Sequence, residues 1–186
     1  PAKRISDAGS DVSIPNKTYP VFTVDGRTIY YCTSKKHKVP DEHLLMQYDL
    51  CKVSFDPDKG IIGNDVDTVF KASAIGKCVT FPRPSYDGKY LMYSLADNGI
   101  FPINHKEADL WLMDLRDGSH RCLSEVNSDD TESYHSWSTN SHWFVFSSRR
   151  GDGLFSRLYI ANIDENGKVG KPFMLPQKNP RYYYDR

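Results

Sequence analysis

The chain has no surplus charge of either sign, since 24 Lys and Arg stand against 24 Asp and Glu. Without a basic stripe it lacks the electrostatic footprint of phosphate binding, and nucleic acid is not an expected partner. The densest basic cluster, Lys35-Lys36-His37-Lys38, is short and reads as a solvated loop. No apolar run reaches the roughly 18 to 20 residues that a membrane-crossing helix needs. The four cysteines, Cys32, Cys51, Cys78 and Cys122, contain no Cys-x-x-Cys pair of the kind that holds zinc or runs redox chemistry. They read as small buried hydrophobes, with Cys32 and Cys51 on adjacent strands as the pair to check for a disulfide in an oxidising compartment. There is no Gly-x-Ser-x-Gly elbow to expose a nucleophile, and the six histidines lack the local pairing of metal sites. No catalytic residue, metal or cofactor is therefore assigned.

What the chain does have is aromatic residues, 12 Tyr, 9 Phe and 3 Trp, which suit pleated strand faces. It also has a repeat. Thr23 to Cys32, Ser85 to Ser94 and Ser138 to Ser147 share one pattern: a turn at Asp25-Gly26, Asp87-Gly88 or Asn140-Ser141, then alternating large apolar residues. Asp bonds its own backbone and Gly accepts positive φ, so each copy reads as a tight turn opening a strand. In the third copy Asn140 is expected to take over the left-handed conformation. Six residues before each turn stands an aromatic, Tyr19, Phe81 or Tyr134. Further on, an apolar strand is interrupted by Asp49, Asp114 or Asn162. Four strands per unit predict an all-β propeller of three antiparallel blades, 19–74, 77–125 and 133–175. Residues 1–18 read as a lead-in or as the outer strand of a preceding blade, and 176–186 as an extended tail.

The run from Asp87 to Gly118, with Asp87-Gly88-Lys89 and Ala108-Asp109-Leu110-Trp111-Leu112-Met113-Asp114-Leu115, resembles the TolB-type, WD40-like repeat known as PD40. Phe146-Ser147-Ser148-Arg149-Arg150-Gly151 is similar to that repeat's approach to its third strand. The chain departs from the family at the residue before the turn pair, where Val24, Tyr86 and Thr139 replace the usual Pro. The resemblance implies a structural Arg149 packed between blades and an envelope or periplasmic setting.

Three blades do not close a ring, because closure takes roughly 4 to 8. The expectation is a part of a six- to eight-bladed propeller, its remaining blades elsewhere, or self-association of copies. Residues that recur in every blade, Asp25, Gly26, Asp87, Gly88, Asn140, Asp49, Asp114 and Asn162, read as structural, since a catalytic residue is needed once. Loops on a rigid scaffold carry function. The candidate binding residues in or beside them are Phe101, His105, His135 and Arg150, with His37 and His43 as solvated histidines. The leading expectation is a non-enzymatic protein-binding platform. The alternatives are a metal-dependent polysaccharide lyase or hydrolase on a similar scaffold, and a propeller gating a fused peptidase.

Overall fold

The computed structural model describes residues 16–35, 37, 41–99 and 101–184. Most of the 1–18 lead-in, with Lys36 and Lys38 of the basic cluster, lies outside them. The fold is all-β, three four-stranded antiparallel sheets of propeller-blade form side by side. Blade one is β1 (Asn16–Phe22), β2 (Thr28–Ser34), β3 (Asp49–Asp56) and β4 (Ile61–Phe70). Blade two is β5 (Cys78–Pro84), β6 (Tyr90–Ala96), β7 (Asp109–Asp114) and β8 (His120–Cys122). Blade three is β9 (Glu132–Trp137), β10 (Trp143–Ser148), β11 (Arg157–Asn162) and β12 (Phe173–Met174). In each the strands pair in chain order, as consecutive hairpins must. The strand β1 begins at Asn16, inside the stretch expected to belong to an earlier blade.

The three turns share one hydrogen-bond pattern. The Asp25, Asp87 and Asn140 Oδ1 atoms accept from the backbone N–H two residues on, at 3.0, 3.1 and 3.0 Å. Each also accepts the hydroxyl of Thr23, Ser85 or Ser138, whose oxygen takes the N–H that starts the next strand. The left-handed residue of the third turn is Ser141, at φ 59°, not Asn140. The reason is positional: Asn140 is occupied as the side-chain acceptor, and the next residue must turn, as Gly26 and Gly88 do at 67° and 71°. Ser141 Oγ then accepts from Asp87 N at 2.9 Å and ties two turns together.

Tyr19, Phe81 and Tyr134 stand at φ 53°, 51° and 51°, each inside a register shift of its inner strand. Each is a bulge residue. The prolines at positions 20 and 82 fit there because a bulged edge asks for no ladder donor. The rings form a ladder from blade to blade, with centroids 4.4 Å and 4.7 Å apart.

Between blades one and two, Tyr30, Cys32 and Leu50 pack on Leu91, Tyr93 and Met113. Between blades two and three, Met92, Leu110 and Leu112 pack on Trp137, Phe144 and Phe146. Each such side chain removed from water contributes about 2 kcal/mol, so the blades are held mainly by these two seams.

Two expectations are corrected, and the cysteines stand as read. Asp49 opens β3 opposite Thr33, whereas Asp114 and Asn162 close their strands opposite Tyr90 and Trp143. Register therefore makes Asp109, not Asp114, the counterpart of Asp49. The four cysteines are free. Cys51 pairs with Tyr31 and Cys32 with Leu50, so alternation sends the two thiols to opposite faces of blade one, Cys32 into the seam with blade two. The tail is not wholly extended: α1 (Pro180–Tyr184) forms, with Asn179 Oδ1 accepting from Tyr182 N at 3.2 Å as its cap and Pro180 as first residue.

Candidate functional site

The β2–β3, β6–β7 and β10–β11 connections and both blade crossings lie at one end of the blades. Among the described residues, Leu44, Leu45, Ile75, Phe101, Leu154 and Phe155 on these connections are 40 to 74 % exposed. All three blades contribute to this apolar rim. Phe101 precedes a 3-10 turn, Pro102–Asn104, and its carbonyl accepts from Asn104 N at 2.9 Å. The backbone is thus fixed while the ring stays out. His105 follows, its Nδ1 3.3 Å from Glu107 Oε1. A Cβ on Gly99 would fall 2.5 Å from His105 Nε2, and Gly99 stands at φ 86°, so only glycine fits beneath that ring. Gly99 N donates to Met46 O at 2.9 Å, fastening this loop to blade one.

His135 is not on the rim. It is 2 % exposed within β9, and Nε2 lies 3.0 Å from Met92 O. Facing a carbonyl, Nε2 must carry the proton. Nδ1 is buried without a partner. Burial first, and the nearby Arg83 charge with it, hold the imidazole down at about 4, so it is neutral at pH 7. It belongs to the seam between blades two and three.

Arg150 is likewise part of the fold, where the sequence left it as a free tip. Its Nη2 reaches Glu132 Oε1 at 2.9 Å and its Nε reaches Ser148 Oγ at 2.9 Å. Its guanidinium lies over the Tyr159 and Phe146 rings, 4.5 and 5.4 Å from their centroids. Glu132 is wholly buried and also accepts from Ser128 N, Ser128 Oγ and Ser148 Oγ at 2.9, 2.6 and 2.7 Å. Three neutral donors and a cation satisfy a carboxylate that water cannot reach. Asp109 faces this charge, and burial first, then Glu132, raise its carboxyl to about 6.

Arg149 Nη1 donates to Ile103 O at 3.1 Å, joining the third blade's loop to the second's, and Nη2 donates to Gly153 O. Its Nε is buried without a partner. His37 Nδ1 lies 3.6 Å from Glu42 Oε2, and the His43 side chain lies outside the described residues. No group of three or more His, Cys, Asp or Glu able to hold a metal occurs among the described residues. Asp56 accepts from the backbone of Asp58 and Lys59 at 3.0 and 3.1 Å and closes a turn.

The structure thus gathers Phe101 and His105 on the rim and sends His135 and Arg150 into a seam. Glu132 went unnoticed in the sequence, although it is a lone carboxylate opening an inner strand, and its partner Arg150 is separated from it by a whole hairpin.

No protein-family model matches this sequence, and no curated protein matches it. Solved structures do share the fold. A puromycin-hydrolysing peptidase from Mycobacterium tuberculosis aligns at a TM-score of 0.61 and 12 % identity, over 89 % of this chain and 24 % of that one. Oligogalacturonate lyase from Vibrio parahaemolyticus aligns at 0.52 and 16 % identity, over 89 % of this chain and 40 % of that one. This chain spans a quarter to two fifths of those proteins' lengths, and the likeness is one of fold. The class is an array of propeller blades. No helix among the described residues is long and apolar enough to cross a membrane.

Proposed function

We propose that this chain is a non-enzymatic binding module of the TolB-like, PD40-repeat type, presenting its loop rim to a protein partner in the periplasm or at the cell envelope. One observation carries this reading: Leu44, Leu45, Ile75, Phe101, Leu154 and Phe155 stand out from three blades on one face. Apolar surface gathered on loops, around polar residues such as His105 and Glu107, has the composition of an interface centre. The two seams hold the loops in place, so binding would order little backbone and lose little entropy. The envelope setting rests on the repeat's resemblance.

The test is affinity capture from envelope extracts with the protein and with a Phe101→Ser, Leu154→Ser, Phe155→Ser variant. The variant should keep its thermal transition and lose its specific partner, since truncated anchor residues remove most interface energy. Equal capture by both forms overturns the reading. So does a stoichiometric transition metal retained after dialysis without chelator, which would turn attention to a lyase or hydrolase.

A further inference from the structure

At the opposite, turn end of the blades a second site is built from all three inner strands. The pairing registers make Val21, Arg83 and Ser136 equivalent positions, opposite Tyr30, Met92 and Val145. What repeats in every blade, such as the Tyr19, Phe81 and Tyr134 bulge, is architecture. Arg83 does not repeat: its counterparts are a valine and a serine. It lines a cleft of about 310 Å³ whose other walls include Phe22, Val24, Tyr86 and Trp137. Phe22, Val24 and Tyr86 are about half exposed. Trp137 is held in place by donating Nε1–H to Arg83 O at 2.9 Å.

The Arg83 guanidinium makes one hydrogen bond, Nη1 to Pro82 O at 3.2 Å, and no ion pair among the described residues. Its neighbour His135 is neutral and neither pairs with it nor repels it. A planar five-donor fork, largely unused and walled by aromatic surface, suits a carboxylate attached to a bulky apolar group. The half-exposed walls, Phe22, Val24 and Tyr86, continue past the guanidinium and can cover the residues that precede a chain's last one.

We propose that this turn-end cleft binds the free C-terminus of a polypeptide ending in a bulky apolar residue. Its carboxylate sits on Arg83, and its last side chain lies between Tyr86 and Trp137. This site is separate from the loop rim, and either can fail without the other.

The probe is a fluorescently labelled Ala-Ala-Leu-Phe tetrapeptide, as free acid and as C-terminal amide, followed by anisotropy on the whole chain. The acid should bind one site per chain, and the amide at least about tenfold more weakly, the loss expected when a charge-assisted bidentate pair is removed. Arg83→Gln should bring the acid down to the amide's affinity, and Arg83→Lys should fall between. Equal binding of acid and amide to the unaltered protein overturns the proposal even if the variants fold poorly. So does unchanged binding by a folded Arg83→Gln protein. Competition by N-acetylphenylalanine as strong as by the unlabelled tetrapeptide also overturns it, because the occupant would then be a small acid.

Discussion

Blades two and three present the same repeat face in two conditions. Tyr90 and Leu110 on blade two are 5 % and 0 % exposed, because blade three covers them. Their counterparts Trp143 and Leu158 on blade three are 39 % and 42 % exposed, and no blade lies against them among the described residues. Residue character is alike at both places. The apolar pattern of a repeat therefore marks a face made for a neighbour, while its energetic worth depends on whether the neighbour is there. The covered seam adds a polar latch, Glu132 with Arg150, which anchors the strand that delivers blade three.

Breaking that latch should have the largest effect. Glu132→Ala leaves Arg150 beside buried, unpaired hydroxyls and should cost about 4 kcal/mol in urea unfolding. A loss below 1 kcal/mol would mean the seam does not depend on the pair.

The comparison itself is sharpened by two alanines at equivalent positions. Leu110→Ala should cost about 3 kcal/mol through its cavity, and Leu158→Ala under about 1 kcal/mol because its side chain is already in water. Equal losses would show that blade three's face is covered in solution, and sedimentation would then identify the cover.

The smallest net effect is that of pH on the same seam, where two groups act in opposite senses. His135 is lowered from its ordinary 6.5 to about 4, so stability falls as pH drops through that window, by on the order of 3 kcal/mol. Asp109 acts in the opposite sense: its carboxyl is raised from 3.8 to about 6, so its contribution is present at low pH and lost as pH rises across that range. Between pH 4 and 6 stability should rise with pH more steeply in Asp109→Asn, where His135 acts alone, and fall with rising pH in His135→Gln, where Asp109 acts alone. Parallel profiles for all three proteins would remove both groups from the account.

The blade architecture was legible because its signals are local. Asp25-Gly26 and Asp87-Gly88 carry their own hydrogen-bond logic within five residues, β6 declares itself by a continuous apolar run and β10 by alternation. The third turn was legible as a turn, but which residue goes left-handed depended on the Asn140 side chain being already engaged. Asn179-Pro180 held a helix start that reads equally as a break, and five residues are too few to show a helical period. The site resisted most. Arg150 stands on a loop tip by sequence, yet Glu132, a hairpin away, draws it in. Nothing near His135 in the chain announces that Met92 O, from another blade, fixes its proton.

The ladder of tilted rings, Tyr19, Phe81 and Tyr134, has a geometric consequence. At 4.4 and 4.7 Å they keep the inner edges of successive blades about as close as rings can pack, while the outer strands fan apart. Each blade is thereby a wedge whose thin edge has the thickness of one aromatic ring. The left-handed bulge is the gauge of curvature: a larger ring there would open the arc, and a smaller one would tighten it.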